Sequence, residues 1–144
     1  MKKRFEFLEH TTDAYIAAYG KTLEEAFENA ALATFEVMTD TEKVSPSIED
    51  TVEVEGQDEY ALLYNWLEEL IVRFEITENL YSRFHVLNIE KTPSGGFKLG
   101  AKIWGEKFSR EKHVQKVGIK AVTYHLMEIV KTPRKVTVKF LLDI

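Results

Sequence analysis

The chain of 144 residues contains no cysteine. Disulfides and thiolate metal sites are excluded, and a cytoplasmic location is the default expectation. Long apolar runs are also missing: nothing approaches the roughly 18–20 residues that cross a bilayer, so no membrane partner is expected. The N-terminal Met1-Lys-Lys-Arg-Phe-Glu-Phe7 has basic residues with no apolar stretch behind them, which is not the pattern of a secretory signal. Cationic residues are in deficit, with 19 Lys and Arg against 24 Asp and Glu and a net charge of −5. That balance argues against a chain that itself grips nucleic acid over a large surface, because phosphate binding wants a basic face. A protein partner that handles nucleic acid stays open. Phosphate-binding GxxxxGK[ST] and GxGxxG loops, the GxSxG elbow and the His-Glu-x-x-His zinc motif are all absent. His10, His85, His113 and His125 form no i,i+4 pair, so local spacing supports no zinc site.

What is present describes a single domain over residues 1–144, long enough to bury a core. Arg4 to Glu9 alternates and reads as a strand; Ala14 to Tyr19 continues as a second, ending at Gly20. Thr22-Leu-Glu-Glu25 is a capping box, and the apolar spacing after it predicts a helix over 23–38. Thr51 to Glu55 reads as a short strand. Asp58 is a good N-cap for a second helix, whose apolar stripe runs from Leu62 through Trp66 to Phe74. Arg83–Lys91 and Phe97–Trp104 flank Pro93-Ser-Gly-Gly96, a hairpin signal. Residues 105–118 are charged and irregular. Ile119–Val130 and Val136–Leu142 read as a last hairpin around Thr132-Pro-Arg134. No repeat, linker or low-complexity tract is evident. Most strands are joined by turns, which predicts an α+β fold: mainly antiparallel sheet layers with two amphipathic helices packed on them.

The last strand stops at Leu142-Asp-Ile144, placing Asp143 one residue from the α-carboxylate of Ile144. Two anionic groups pinned at a strand end repel unless a cation, donors or solvent compensates; a plain solvated strand end is the alternative. Other oxygen-bearing residues also sit at element ends: His10, Thr12 and Asp13 at a strand break, and Asp40 just past the first helix. Such oxygens suit hard cations such as calcium, magnesium or manganese. Spacing alone does not show that they meet.

Taken in order, several pieces resemble the archease family over nearly the whole chain. They are His10-Thr-Thr-Asp13, Gly20 to Ala31, Val37-Met-Thr-Asp40, Leu62 to Leu70, Gly105-Glu106, Lys112-His113, Ile119 to His125 and Leu142-Asp-Ile144. Two departures stand out. Thr12 replaces a usual alanine, and Gly118 stands where family members often carry glutamate.

The resemblance implies an accessory protein and not an enzyme. Its partner would be the GTP- and manganese-dependent RNA ligase of tRNA splicing, with RNA contacted mainly through that ligase. The accessory protein would promote guanylylation and multiple turnover in tRNA splicing and RNA repair. Asp13 and Asp143 match the family's metal-binding acids, Ile144 is implied as a third contributor through its carboxylate, and Asp40 as a second-tier ligand. Calcium is the first expectation for the ion, magnesium and manganese the alternatives. Lys120 matches a family lysine that could serve the partner or its phosphates. His10 orients Asp13 or is structural, and the role of His125 is open. The competing reading is a chaperone-like protein-binding module whose metal is purely structural.

Overall fold

Strands form where apolar residues alternate and helices where they recur every three to four positions. A computed structural model of the chain describes residues 3–8 and 12–144. Its elements are β1 (Phe5–Leu8), β2 (Asp13–Gly20), α1 (Leu23–Met38), a 3-10 turn (Thr41–Lys43), β3 (Ile48–Gly56), α2 (Glu59–Thr77), β4 (Asn79–Lys91), β5 (Phe97–Lys107), β6 (Ala121–Thr132) and β7 (Lys135–Asp143). They build two antiparallel sheets, ordered β1-β2-β7-β6 and β3-β5-β4. The fold is α+β, as the turn-rich strand order predicts. The separation into two sheets is not visible in that order. Each helix contacts strands of both sheets, so the helix pair joins them.

Both helices start as the caps predict. Thr22 Oγ1 accepts from the Glu25 amide, and a Glu25 oxygen accepts from the Lys21 amide at 2.6 Å. Asp58 does the same work for α2, accepting from the Ala61 amide at 2.8 Å. Ala26, Phe27, Ala30, Ala31 and Phe35 of α1 are buried, as are Leu62, Leu63, Trp66, Leu67 and Leu70 of α2. The Trp66 indole donates to the Phe27 carbonyl at 3.0 Å, which satisfies its one polar atom inside the core. No helix among the described residues is long and apolar enough to cross a membrane.

The two strand-to-helix connections are built alike, a likeness not apparent in the sequence. Asn29 Nδ2 donates to the Tyr19 carbonyl and Asn65 Nδ2 to the Glu55 carbonyl, each bond 2.7 Å and spanning ten residues. Gly20 and Gly56 close β2 and β3 against the first turn of the following helix. A Cβ at either would fall 2.4 or 2.5 Å from a helix amide nitrogen. The likeness lies in three backbone-directed positions per unit, the glycine, the N-cap and the asparagine, too few to register as a sequence repeat.

In the three-stranded sheet, Gly105 of β5 pairs with Tyr81 and with Ile48. The β4 register shifts between Tyr81 and Arg83, pressing the Leu80 carbonyl onto Gly105. A Cβ at Gly105 would lie 1.8 Å from that oxygen. This close approach explains why β4 begins at Asn79 and β5 runs to Lys107, beyond the alternating stretches that define them in sequence. Gly105→Ala is therefore expected to destabilise the fold by about 1–3 kcal/mol or more, the usual cost of overpacking. Thermal unfolding checks this; an unchanged midpoint would show that β4 moves freely there.

Candidate functional site

β7 lies between β2 and β6. Val136, Val138, Phe140 and Leu142 alternate along it and are buried. Successive side chains point to opposite faces, so Thr137, Lys139, Leu141 and Asp143 share the other one. In the register that results, Asp143 is the direct partner of Asp13 in β2 and of Ala121 in β6. Directly opposed residues in an antiparallel pair project to one face, with Cβ atoms roughly 4.5–5.5 Å apart. The fold thus brings together two carboxylates that lie at opposite ends of the chain. Both residues are only partly exposed. Like charges so placed disfavour the pairing unless something positive or hydrogen-bonding compensates.

The surroundings supply donors. The Thr12 hydroxyl lies 3.4 Å from Asp13 Oδ2. The Lys120 amide donates to the Asp143 carbonyl at 2.7 Å, which ties Lys120 to the end of β7 and leaves its side chain exposed. Ile144 packs partly buried against the hydrophobic core, so the backbone just after Asp143 is anchored. Asp40 has a different place. It is the N-cap of the 3-10 turn, where Oδ1 accepts from the Glu42 amide at 3.2 Å. Among the described residues no three His, Asp or Glu side chains gather where they could hold a metal. His10 lies outside the described residues. His125 is exposed in an irregular stretch of β6, its amide bonded to Thr123 Oγ1, with Leu126 at φ 62° beside it.

A second polar assembly positions Lys120 from a distance. Glu106 at the end of β5 accepts from the Ser45 amide at 2.9 Å and pairs with Lys112 at 2.7 Å and with His113 Nε2 at 2.8 Å. His113 is buried, and its Nδ1 accepts from the Ser109 amide. The proton of the neutral ring is therefore on Nε2, donated to Glu106. From this hub the chain runs back along the end of α1. The Lys116 and Val117 amides bond the Met38 and Val37 carbonyls, and the Thr39 hydroxyl bonds the Val114 carbonyl. The segment then delivers Lys120 to Asp143. In the sequence, Gly105-Glu106 and Lys112-His113 belong to the family resemblance without a role of their own. An acid followed closely by a Lys-His pair, inside an otherwise irregular stretch, is the signal that points to this strut.

Comparison with known proteins bears on what this arrangement does. The family model described as "Archease protein family (MTH1598/TM1083)" matches residues 5–144. Protein archease of Sulfurisphaera tokodaii is 46% identical over 142 residues, 99% of each chain. Protein archease of Pyrococcus abyssi is 50% identical over 131 residues, 91% of each. The solution structure of Methanobacterium thermoautotrophicum protein 1598 superposes with a TM-score of 0.85 at 41% identity, over 98% of this chain and 99% of that one.

Burial would raise the Glu106 carboxyl, but the bonds from Lys112, the Ser45 amide and His113 outweigh it and hold it near 2, against an ordinary 4.5. A carboxyl whose folded pKa is depressed stabilises the fold fully above its unfolded value and loses that contribution as pH falls through the folded one. Between pH ~4.5 and ~2 the wild-type unfolding midpoint should therefore drop more steeply than that of Glu106→Gln. The variant starts lower and converges with wild type in acid. Parallel curves would remove Glu106 from the strut.

Proposed function

Because the chain belongs to the archease protein family, we propose that it is an accessory protein of the GTP- and manganese-dependent RNA ligase that seals tRNA halves. It promotes guanylylation of the ligase and its return for further turnovers, and performs no ligation itself. The observation that carries the role of the rim is the direct pairing of Asp13 with Asp143, with Lys120 bonded to the Asp143 backbone.

The residues at this rim fit a hard divalent cation. Two carboxylates forced onto one face by strand register have their repulsion relieved by such an ion, and oxygen donors match calcium, magnesium or manganese. Asp13, Asp143 and the Ile144 carboxylate would hold it, with calcium the first choice and Asp40, a turn cap in this structure, the second-tier ligand. When bound, the ion supplies positive charge at the sheet end. Lys120 places an exposed side chain beside that end, where its ammonium can meet a phosphate or an acidic group of the partner. Docking of this rim favours the guanylylation-competent state of the ligase only to the extent that it binds that state more tightly than the others.

Two measurements test the reading. Asp13→Asn and Asp143→Asn are each compared with wild type in metal-free buffer, where Asp143→Asn should unfold no earlier than wild type, because a neutral amide lowers the repulsion across the strand pair. Calcium should stabilise wild type by about 2.7 kcal/mol at a hundredfold excess over Kd, and neither variant. In the second, the stimulated rate of GMP attachment to the ligase should fall on the order of tenfold or more in both variants and in Lys120→Ala. Full stimulation by the aspartate variants would reduce the metal to a structural part of a docking module. No stimulation by wild type, with an active ligase, would remove the accessory role.

A further inference from the structure

At the other end of β2 from Asp13, roughly 20 Å along the strand at about 3.3 Å per residue, the surface opens into a cavity of about 860 Å³. Its walls come from the residues before β1, the end of β2, the first turns of α1, the middle of β4 and the β6–β7 turn. Six cationic residues line it: Lys3, Arg4, Lys21, Arg83, Arg134 and Lys135. In a chain of net charge −5 this is a concentrated reversal of sign.

The charges are not balanced in place. Glu6 is engaged by the Tyr19 hydroxyl at 2.6 Å and by Lys3. Glu25 is bonded to the Lys21 amide, and Glu28 to the Val86 amide. Glu28 also faces His85, whose Nδ1 lies 3.6 Å from the same carboxylate oxygen. Arg4, Lys21 and Arg134, by contrast, are exposed and have no side-chain hydrogen bond or ion pair among the described residues. Two further cations are steered by aromatic faces: Arg83 lies 5.3 Å from the Trp104 ring centre and Lys135 4.4 Å from that of Tyr19.

Such a lining excludes an apolar ligand, since Leu32 and Phe84 are its main apolar residues. Phe84 is stacked on Phe35, and Tyr19 lies under Lys135, so neither ring is left for bases to stack on. What remains is recognition of a chain of closely spaced anions by guanidinium and ammonium groups. A nucleic-acid backbone supplies these without the side-chain entropy that an acidic peptide loses, and the cavity has none of the apolar pockets that anchor peptides. It is too small for a duplex. Glu25 and Glu28 each keep one carboxylate oxygen outside the bonds above, and these can accept from 2′-hydroxyls, which DNA lacks.

We propose that this cleft holds the phosphodiester backbone of a single-stranded RNA segment. The chain would then touch RNA directly, in place of contact mainly through the ligase. The inference needs no ligase and stands or falls apart from the accessory role.

The test is fluorescence anisotropy of purified wild-type protein with a labelled RNA of about 12 nucleotides, within the usual range for single-strand sites. Binding is expected at low salt, weakening as salt rises. Arg4→Gln, Lys21→Gln and Arg134→Gln combined should weaken it by about tenfold or more and flatten the salt dependence. Lys91→Gln with Lys98→Gln, on the β4–β5 hairpin outside the cleft, should leave it unchanged. Matching circular dichroism and unfolding midpoints establish that the triple variant folds; if it does not, the same comparison with Arg134→Gln alone decides. Absence of binding by wild type, or equal binding by cleft and hairpin variants, would overturn the proposal. Equal binding of a DNA of the same sequence would overturn the assignment to RNA. Tighter binding of an oligoglutamate peptide would assign the cleft to an acidic protein segment.

Discussion

Insertion of β7 between β2 and β6 turns Val136, Val138, Phe140 and Leu142 into the core, and that burial sets what happens at both sheet ends. Side chains alternate with period two, so a one-residue slip would expose all four and bury Thr137 and Lys139. The same register brings Asp143 opposite Asp13 and Val136 opposite Gly20. Opposed like charges cost on the order of 0.2–1 kcal/mol. Burying each large apolar side chain contributes about 1.5–3 kcal/mol. The core therefore wins, and the acid pair is held together by forces that have nothing to do with its own chemistry.

The irregular segment between β5 and β6 answers a different need. A helix end leaves carbonyls without intrahelical partners, and the Lys116 and Val117 amides satisfy two of them at the end of α1. Glu106 and His113 anchor the start of this segment, and the Asp143 carbonyl receives its end. An assembly with no place at the acidic rim thus determines where Lys120 sits. Its parts are polar but fully engaged, and among the described residues no buried side-chain polar atom lacks a partner.

Charge is divided along the four-stranded sheet. Two acids meet at one end of β2, and the other end faces the cationic cleft. An overall net charge averages these opposed regions into mild acidity. Composition therefore argues against a nucleic-acid grip over a large surface while leaving a local one unseen. The acidic end and the cationic cleft do not neutralise each other, because the roughly 20 Å of strand between them exceeds a Debye length of about 8–10 Å.

Several features were legible in the residues. Thr22 and Asp58 mark the starts of α1 and α2, the stripe around Trp66 marks a buried face, and Pro93 to Gly96 marks a hairpin, because each depends on neighbours within a few positions. Recurring local pieces also pointed to the family, and Asp13 and Asp143 could be named as candidates. Other features depend on residues far apart in the chain. The split into two sheets, the limits of β4 and β5 at Gly105, the matched Asn29 and Asn65 bonds and the Glu106–His113 strut arise from backbone contacts that no local spacing encodes. Asp40, just past α1, caps the 3-10 turn, a role its position in the sequence does not show. The sequence by itself determined which segments are strands and helices and which residue types could bind a cation, since these follow from local periodicity and side-chain chemistry. Only the tertiary structure decided which acids and which cations share a surface, because that is set by strand register and core burial.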